Sequence, residues 1–206
     1  MDFHVTAAGT LSSICRQEKD PRRVGCRFQK LDSCASGRVL EIGIGSGLNL
    51  PFYSRNVKHL IGLDPSPKLL AMARGKLPPD LSPIELVEGS AEAIPLENGS
   101  IDTVVTTWTL CSIPDAGRAL REMSRVLKPS GRLLFVEHGR APDPNVRWWQ
   151  DHMTPVWRRL GGGCHLNRAI KLLIEDASFQ FERFETGYMR GPKPMTFMYE
   201  GSARPR

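Results

Sequence analysis

The stretch Val39-Leu40-Glu41-Ile42-Gly43-Ile44-Gly45-Ser46-Gly47 decides the fold of this 206-residue chain. With Arg38 in front, its first half is a short apolar run that reads as a buried strand over 38–42. Its second half is a loop of alternate glycines, where a backbone can turn tightly and approach a ligand. A strand running into such a loop, with a helix expected beyond it, marks the carboxyl edge of an open α/β sheet. Such sheets bind their ligands at that edge. The spacing narrows the ligand. A dinucleotide fingerprint G-x-G-x-x-G requires glycine at 48, where this chain has Leu48. Glu41, just before the glycines, is a poor neighbour for a pyrophosphate and a good one for an ammonium.

The same alternation continues outward from this loop. His59-Leu60-Ile61-Gly62-Leu63 reads as a second strand ending at Asp64. An acid about 20 residues after a glycine loop can accept hydrogen bonds from ribose hydroxyls. Ser66 reads as the cap of a helix carrying Leu69, Leu70, Met72 and Ala73 on one side and stopped by Pro78-Pro79. A third strand, 84–87, leads into Glu88-Gly89-Ser90-Ala91, where the Ser90 side chain and the Ala91 backbone can meet an adenine edge. A fourth, 101–106, leads into Thr107-Trp108-Thr109-Leu110-Cys111-Ser112. Between 115 and 127 the apolar residues Ala116, Ala119, Leu120, Met123, Val126 and Leu127 recur at helical spacing. A turn at 128–131 and a fifth strand at 132–136 follow. Strands alternating with helices imply a parallel, doubly covered sheet.

After Glu137 the texture changes. Residues 142–165 hold Trp148, Trp149, Trp157 and the run Gly161-Gly162-Gly163. A helix is expected near 167–177, with β-like stretches at 179–185 and 194–201. Trp149, Met153 and Trp157 recur every fourth residue, so one helical face is apolar and aromatic. Such a face suits an acceptor pocket, a membrane surface or plain packing against the sheet. Residues 1–35 show no period and read as an N-terminal arm before one domain over 36–206.

Composition sets the outer limits. Hydrophobic residues make up 40% and charged residues 24%, which is ordinary for a globular domain. The net charge of +6 comes without a Lys/Arg tract or an RNA-binding motif, so it reads as a solvated basic surface and nucleic acid is not expected. Cys15, Cys26, Cys34, Cys111 and Cys164 are odd in number and form no CxxC, which argues against a disulfide framework and against a Cys-based zinc site. Cys164-His165 are adjacent donors without partners nearby in sequence, so no metal is expected. No signal-like or membrane-spanning run is present in the sequence, which makes the cytoplasm the expected compartment, with peripheral membrane contact as an option.

Four stretches, VLEIGIGSG, IGLDPS, EGSAEAIPLENGSIDTVV and REMSRVLKPSGRLLFVEH, span roughly residues 36 to 140. Together they resemble the class I S-adenosylmethionine (SAM)-dependent methyltransferases of the methyltransferase-11 type. The resemblance implies a Rossmann-like seven-stranded sheet with helices on both faces and the last strand antiparallel. It implies SAM as cofactor, held by Glu41, Gly43, Ile44, Gly45, Gly47, Asn49, Asp64, Pro65, Ser90, Ala91, Thr107 and Trp108. Further on, TLCSIPD, FVEHGRAP, the WWQ…PVW pattern and GGGCHLNR are similar to the mammalian alkyl thiol methyltransferases that associate with membranes, although the hydrophobic N-terminal anchor of that group is not seen here. Bacterial phospholipid N-methyltransferases and quinone C-methyltransferases also look similar.

The expected reaction is an in-line methyl transfer to a small apolar acceptor: a thiol, a lipid amine or a quinone-like phenol. The protein then mainly supplies orientation and exclusion of water. Cys111, Trp149, Met153 and His165 are the expected acceptor-side residues, and His138, after strand five, is the candidate base for an acceptor that must lose a proton. A SAM-binding protein without catalysis and a nicotinamide-dependent oxidoreductase are the competing readings. The NPPY-type motif that holds a flipped base is absent after strand four.

Overall fold

The computed structural model describes residues 34–78 and 83–206, so all but the last two residues of the expected arm lie outside it. Strand β1 (Gly37–Ile42) is buried on both faces from Val39 onward, because it runs through the middle of a sheet covered on both sides. It pairs in parallel with β2 (Val57–Asp64) on one side and β4 (Ile101–Thr107) on the other, placing Leu40 opposite Ile61 and Val104. β3 (Ile84–Glu88) lies beyond β2, and β5 (Leu127–His138) lies beyond β4. β7 (Phe197–Pro205) then runs antiparallel between β5 and β6 (Phe179–Tyr188). The order is therefore β3-β2-β1-β4-β5-β7-β6. The seven strands and the antiparallel last strand implied by the family resemblance are both present. The chain leaves β1 toward β2 and β3 and later returns to β4 on β1's other side. The crevice at the carboxyl ends of β1 and β4 is thus the ligand site such sheets provide.

Helices cover both faces. Because side chains alternate along each strand, Leu40, Ile42, Ile61, Val104, Leu133 and Phe135 face one way. They pack on Ala119, Leu120 and Met123 of α2 (Ala116–Val126) and on Ile170 and Ile174 of α4 (Ile170–Asp176). Val39, Leu60, Val105, Leu134 and Val136 face the other way, toward Leu70 of α1 (Pro67–Arg74) and toward Leu50 and Tyr53. Asp115 caps α2 by accepting the Arg118 N–H at 2.9 Å, and Ser66 caps α1 by accepting that of Leu69 at 3.4 Å. α3 (Pro144–Leu160) and the short α5 (Lys193–Thr196) complete the set.

Several expected boundaries move. No α-helix follows the glycine loop; a single 3-10 turn at Leu50–Phe52 stands there instead. Only residues 48–56 connect the loop to β2, and Pro51 removes a backbone donor among them, so a helix and its return cannot fit. α1 ends at Arg74 with Gly75 as its cap, before the prolines. The expected turn at 128–131 is a bulge inside β5: pairing jumps from Ile101↔Leu127 to Thr103↔Arg132. Lys128 Nζ pins this bulge to Asp102 Oδ1 at 2.7 Å. β7 begins at Phe197 rather than 194 because residues 193–196 wind into α5.

Candidate active site

The glycine loop is wedged between two other elements. A Cβ at Gly43 would lie 2.5 Å from Thr109 Cγ2, and one at Gly47, whose φ is +75°, would lie 2.6 Å from Leu50 Cδ1. At Gly45 a Cβ would meet only the Gly43 carbonyl, at 3.9 Å, so this part of the loop presents bare backbone to the crevice. The Ile44 side chain, by contrast, is buried in the core beneath the loop, so only its backbone can face a cofactor.

Asp64, at the end of β2, ties the edges together. Its Oδ2 accepts the Gly45 N–H at 2.9 Å and its Oδ1 accepts the Ser66 N–H at 2.8 Å. A carboxylate offers about four lone-pair sites, so acceptor capacity is left for ribose hydroxyls. Pro65 follows it, exposed at the mouth. Glu41 is buried at the end of β1. Its Oε1 accepts from Asn49 Nδ2 at 2.8 Å and its Oε2 from the Tyr53 hydroxyl at 3.0 Å. Asn49 Nδ2 also reaches Thr107 Oγ1 at 2.8 Å, linking β1 to β4. Burial pushes the Glu41 carboxyl up to about 7, while the hydrogen bonds from Asn49 and Tyr53 pull it back down. A carboxyl held near 7 ionises readily when a positive charge comes close. Tyr53 was not legible from sequence, since it sits in a segment without period. At the β3 end, Ser90 Oγ accepts the Glu92 N–H at 3.1 Å and shapes the turn, while Ala91 packs into the core. Bare glycine backbone, a poised acid for an ammonium and an acid with spare lone pairs for a ribose fit SAM.

The loop after β4 is organised by a residue that sequence reading passed over. Glu137, fully buried on β5, accepts the Thr106 hydroxyl and the N–H groups of Thr109 at 3.1 Å and Leu110 at 3.2 Å. Burial pushes its carboxyl up to about 7. An acid inside the apolar run Leu133–His138 was the available signal. Trp108 holds a left-handed backbone (φ 54°), a strained conformation for a bulky side chain, and its indole Nε1 is buried without a hydrogen-bond partner among the described residues. Its ring centroid lies 5.2 Å from that of His138.

His138 is buried at the end of β5 with Nε2 3.2 Å from Cys164 Sγ, and its Nδ1 has no partner among the described residues. Cys111 and Cys164 are buried beside it in one cluster with Leu166, and Met153 and Trp157 pack around them. Hydrogen bonds with Cys111 and His138 pull the Cys164 thiol down, and the same contact with Cys164 pushes Cys111 up. His165 does not pair with its neighbour Cys164. Its Nδ1 lies 3.1 Å from the Cys111 carbonyl and 3.2 Å from the Arg168 guanidinium, which braces the loop after α3 against the loop after β4. Trp149 is 54% exposed and does not line this region. The buried seam of α3 runs through Val146, Gln150 and Thr154, and one residue of helix rotates a side chain by about 100° away from it.

Such a sheet with such an edge defines a class I methyltransferase fold built around a nucleoside-bearing ligand. A methyltransferase domain family matches residues 40–135. Thiol S-methyltransferase TMT1B of Homo sapiens is 34% identical over 209 residues, covering 96% of this chain and 81% of that protein. A phosphatidylethanolamine N-methyltransferase of Cereibacter sphaeroides is 38% identical over 128 residues, 61% of each chain. The solved SAM-dependent methyltransferase of Mesorhizobium loti superposes with a TM-score of 0.66 at 19% identity, over 87% of this chain and 96% of its own. The chain belongs to the SAM-dependent methyltransferases.

Proposed function

We propose that this methyltransferase acts on a small apolar thiol, with Glu41 receiving the ammonium of SAM, Asp64 its ribose and Ser90-Ala91 its adenine edge. The observation that carries the acceptor class is the soft, apolar cluster of Cys111, Met153, Trp157, Cys164 and Leu166 beside His138. The relative named for thiol methylation matches across nearly the whole chain, including this cluster's segment, which supports the same class. SAM supplies a methyl group already activated on a sulfonium, so the chain's own part is to orient, to exclude water and to remove the acceptor's proton. His138, at the end of β5, takes that last task through its unpartnered Nδ1, since Nε2 faces Cys164. Incubation with labelled SAM and, separately, an alkyl thiol, phosphatidylethanolamine vesicles and a demethylated quinol tests the reading. Transfer to the thiol is expected; transfer only to the amine or the quinol overturns it.

A second observation concerns where the enzyme works. The outer side of α3 exposes Trp148, Trp149, Val156 and Leu160 beside Arg158 and Arg159. We infer that this face rests on an anionic membrane surface from the cytoplasmic side, giving access to apolar acceptors. No helix among the described residues is long and apolar enough to cross a membrane. Flotation with anionic vesicles, weakened in Trp148→Ala/Trp149→Ala, is the expected result.

A further inference from the structure

Beyond the glycine cradle, three metal-ligating side chains, two thiols and one imidazole, meet. Cys111 arrives from the loop after β4, His138 from the end of β5 and Cys164 from the loop after α3, and their ligand atoms all lie within 4.8 Å of one another. His138 Nε2 is already 3.2 Å from Cys164 Sγ. In a tetrahedral zinc site, with Zn–S near 2.3 Å and Zn–N near 2.0–2.1 Å, the donors sit roughly 3.5–3.8 Å apart. The side chains present therefore need to shift by only about an ångström to close around an ion.

The surroundings suit metal-bound thiolates. The Trp157 side chain hydrogen-bonds the Cys164 sulfur, and Ser112 Oγ lies 3.4 Å from Cys111 Sγ. The Arg168 guanidinium places a positive charge near both sulfurs and is itself anchored on the Leu110 carbonyl at 2.5 Å. Partners of this sort orient ligands and tune the metal. The sequence argues against a metal because no cysteines are spaced as CxxC and Cys164 has only His165 beside it. The fold instead turns His165 onto the Cys111 carbonyl and brings Cys164 to two donors remote in sequence.

We propose that Cys111, His138 and Cys164 bind a zinc ion through Sγ, Nε2 and Sγ, leaving its fourth position open for the sulfur of the acceptor. Three protein ligands and one open position is the pattern of zinc sites that do chemistry rather than hold a fold. Binding the ion replaces the two thiol protons, which pass to solvent. A thiol entering the open position likewise gives its proton to solvent and is held as a thiolate, the nucleophile methylation requires. The inference rests on the thiol reading above and revises one part of it: with zinc in place, His138 is a ligand and no longer the base.

The test uses the full chain purified without chelator, its zinc content measured by mass spectrometry. The metal is then stripped and replaced by cobalt(II), and sulfur-to-cobalt charge-transfer absorption is followed. Stoichiometric zinc and that absorption are expected in the wild type and in Cys34→Ser, and their loss in Cys111→Ser and Cys164→Ser. Trp157→Phe keeps the ligands and should weaken zinc affinity by about tenfold or more. Stripping should leave SAM affinity unchanged by calorimetry while abolishing thiol methylation, and zinc should restore it. A wild-type chain that binds SAM yet takes up neither zinc nor cobalt at micromolar concentration overturns the site and returns the proton to His138. Zinc uptake without thiol methylation supports the site and overturns the acceptor class instead.

Discussion

The cofactor end and the acceptor end of this site are built on opposite plans. At the cofactor end, the crevice is formed by strand ends and the few residues that follow each one: 41–47 after β1, 64–66 after β2, 88–91 after β3. Much of what lines this crevice is backbone, shaped by glycines and braced by Asp64. At the proposed acceptor end the clustered groups are side chains, drawn from the loop after β4, the tip of β5 and the loop beyond α3. They share no segment, and both loops are held by residues outside the cluster: Glu137 for the β4 loop, His165 and Arg168 for the α3 loop. The first plan reuses a common handle, and the second leaves the acceptor free to vary on an unchanged cofactor platform.

Mutations at the two ends should therefore separate cofactor binding from turnover. The largest effect is expected from Asp64→Ala, which removes acceptors for the Gly45 and Ser66 N–H groups and for the ribose. Hydrogen bonds to charged groups contribute about 1.5–3 kcal/mol each, so SAM affinity by calorimetry should fall at least about 100-fold. An unchanged affinity would sink the ribose assignment.

Gly47→Ala should come next. It puts a Cβ into a left-handed position against Leu50, at a cost of about 1–3 kcal/mol of stability, read by urea unfolding.

The pH dependence follows from Glu41, whose carboxyl rises from 4.5 to about 7 on folding. The folded state then binds the proton more tightly than the unfolded state, so this group's contribution to stability is present at low pH and fades as pH rises from 4.5 through 7. An ammonium favours the ionised form, so SAM affinity should rise with pH up to about 7 and binding below that pH should release a proton. Calorimetry in buffers of different ionisation enthalpy measures the release. Glu137 shifts the same way, so Glu41→Gln is the control that assigns the effect: the release should vanish with it.

Tyr53→Phe should cost only about 0.5–1.5 kcal/mol of stability and push the Glu41 titration higher. The smallest change belongs to Trp149→Ala, within about 0.5 kcal/mol of wild type because the side chain is exposed. Met153→Ala should raise the acceptor KM, whereas Trp149→Ala should not alter it for a soluble thiol. Equal effects would erase the distinction between the two faces of α3.

Much of the fold was open to sequence reading because strand periodicity and turn glycines are local properties. The strands placed at 38–42, 59–63, 84–87 and 101–106 each lie within the observed elements. Errors fell where long-range geometry overrode local pattern: the helix expected after Gly47 had too short a tether, and the turn at 128–131 was absorbed into β5 as a bulge. At the site, Glu41 and Asp64 stood out because an acid at a strand end is a local signal. Tyr53, Glu137 and the true partners of Cys164 did not, since each acts on residues distant in sequence.

By itself the sequence determined the handle of this protein: a strand, alternate glycines and two acids at strand ends, the pattern proposed above to hold the cofactor. Tertiary structure alone decided the side-chain cluster, where β4, β5 and the segment after α3 bring two thiols and an imidazole together. The reason is physical: cradle geometry comes from short-range backbone constraints, whereas convergence of remote side chains depends on how the whole sheet and its covering helices pack.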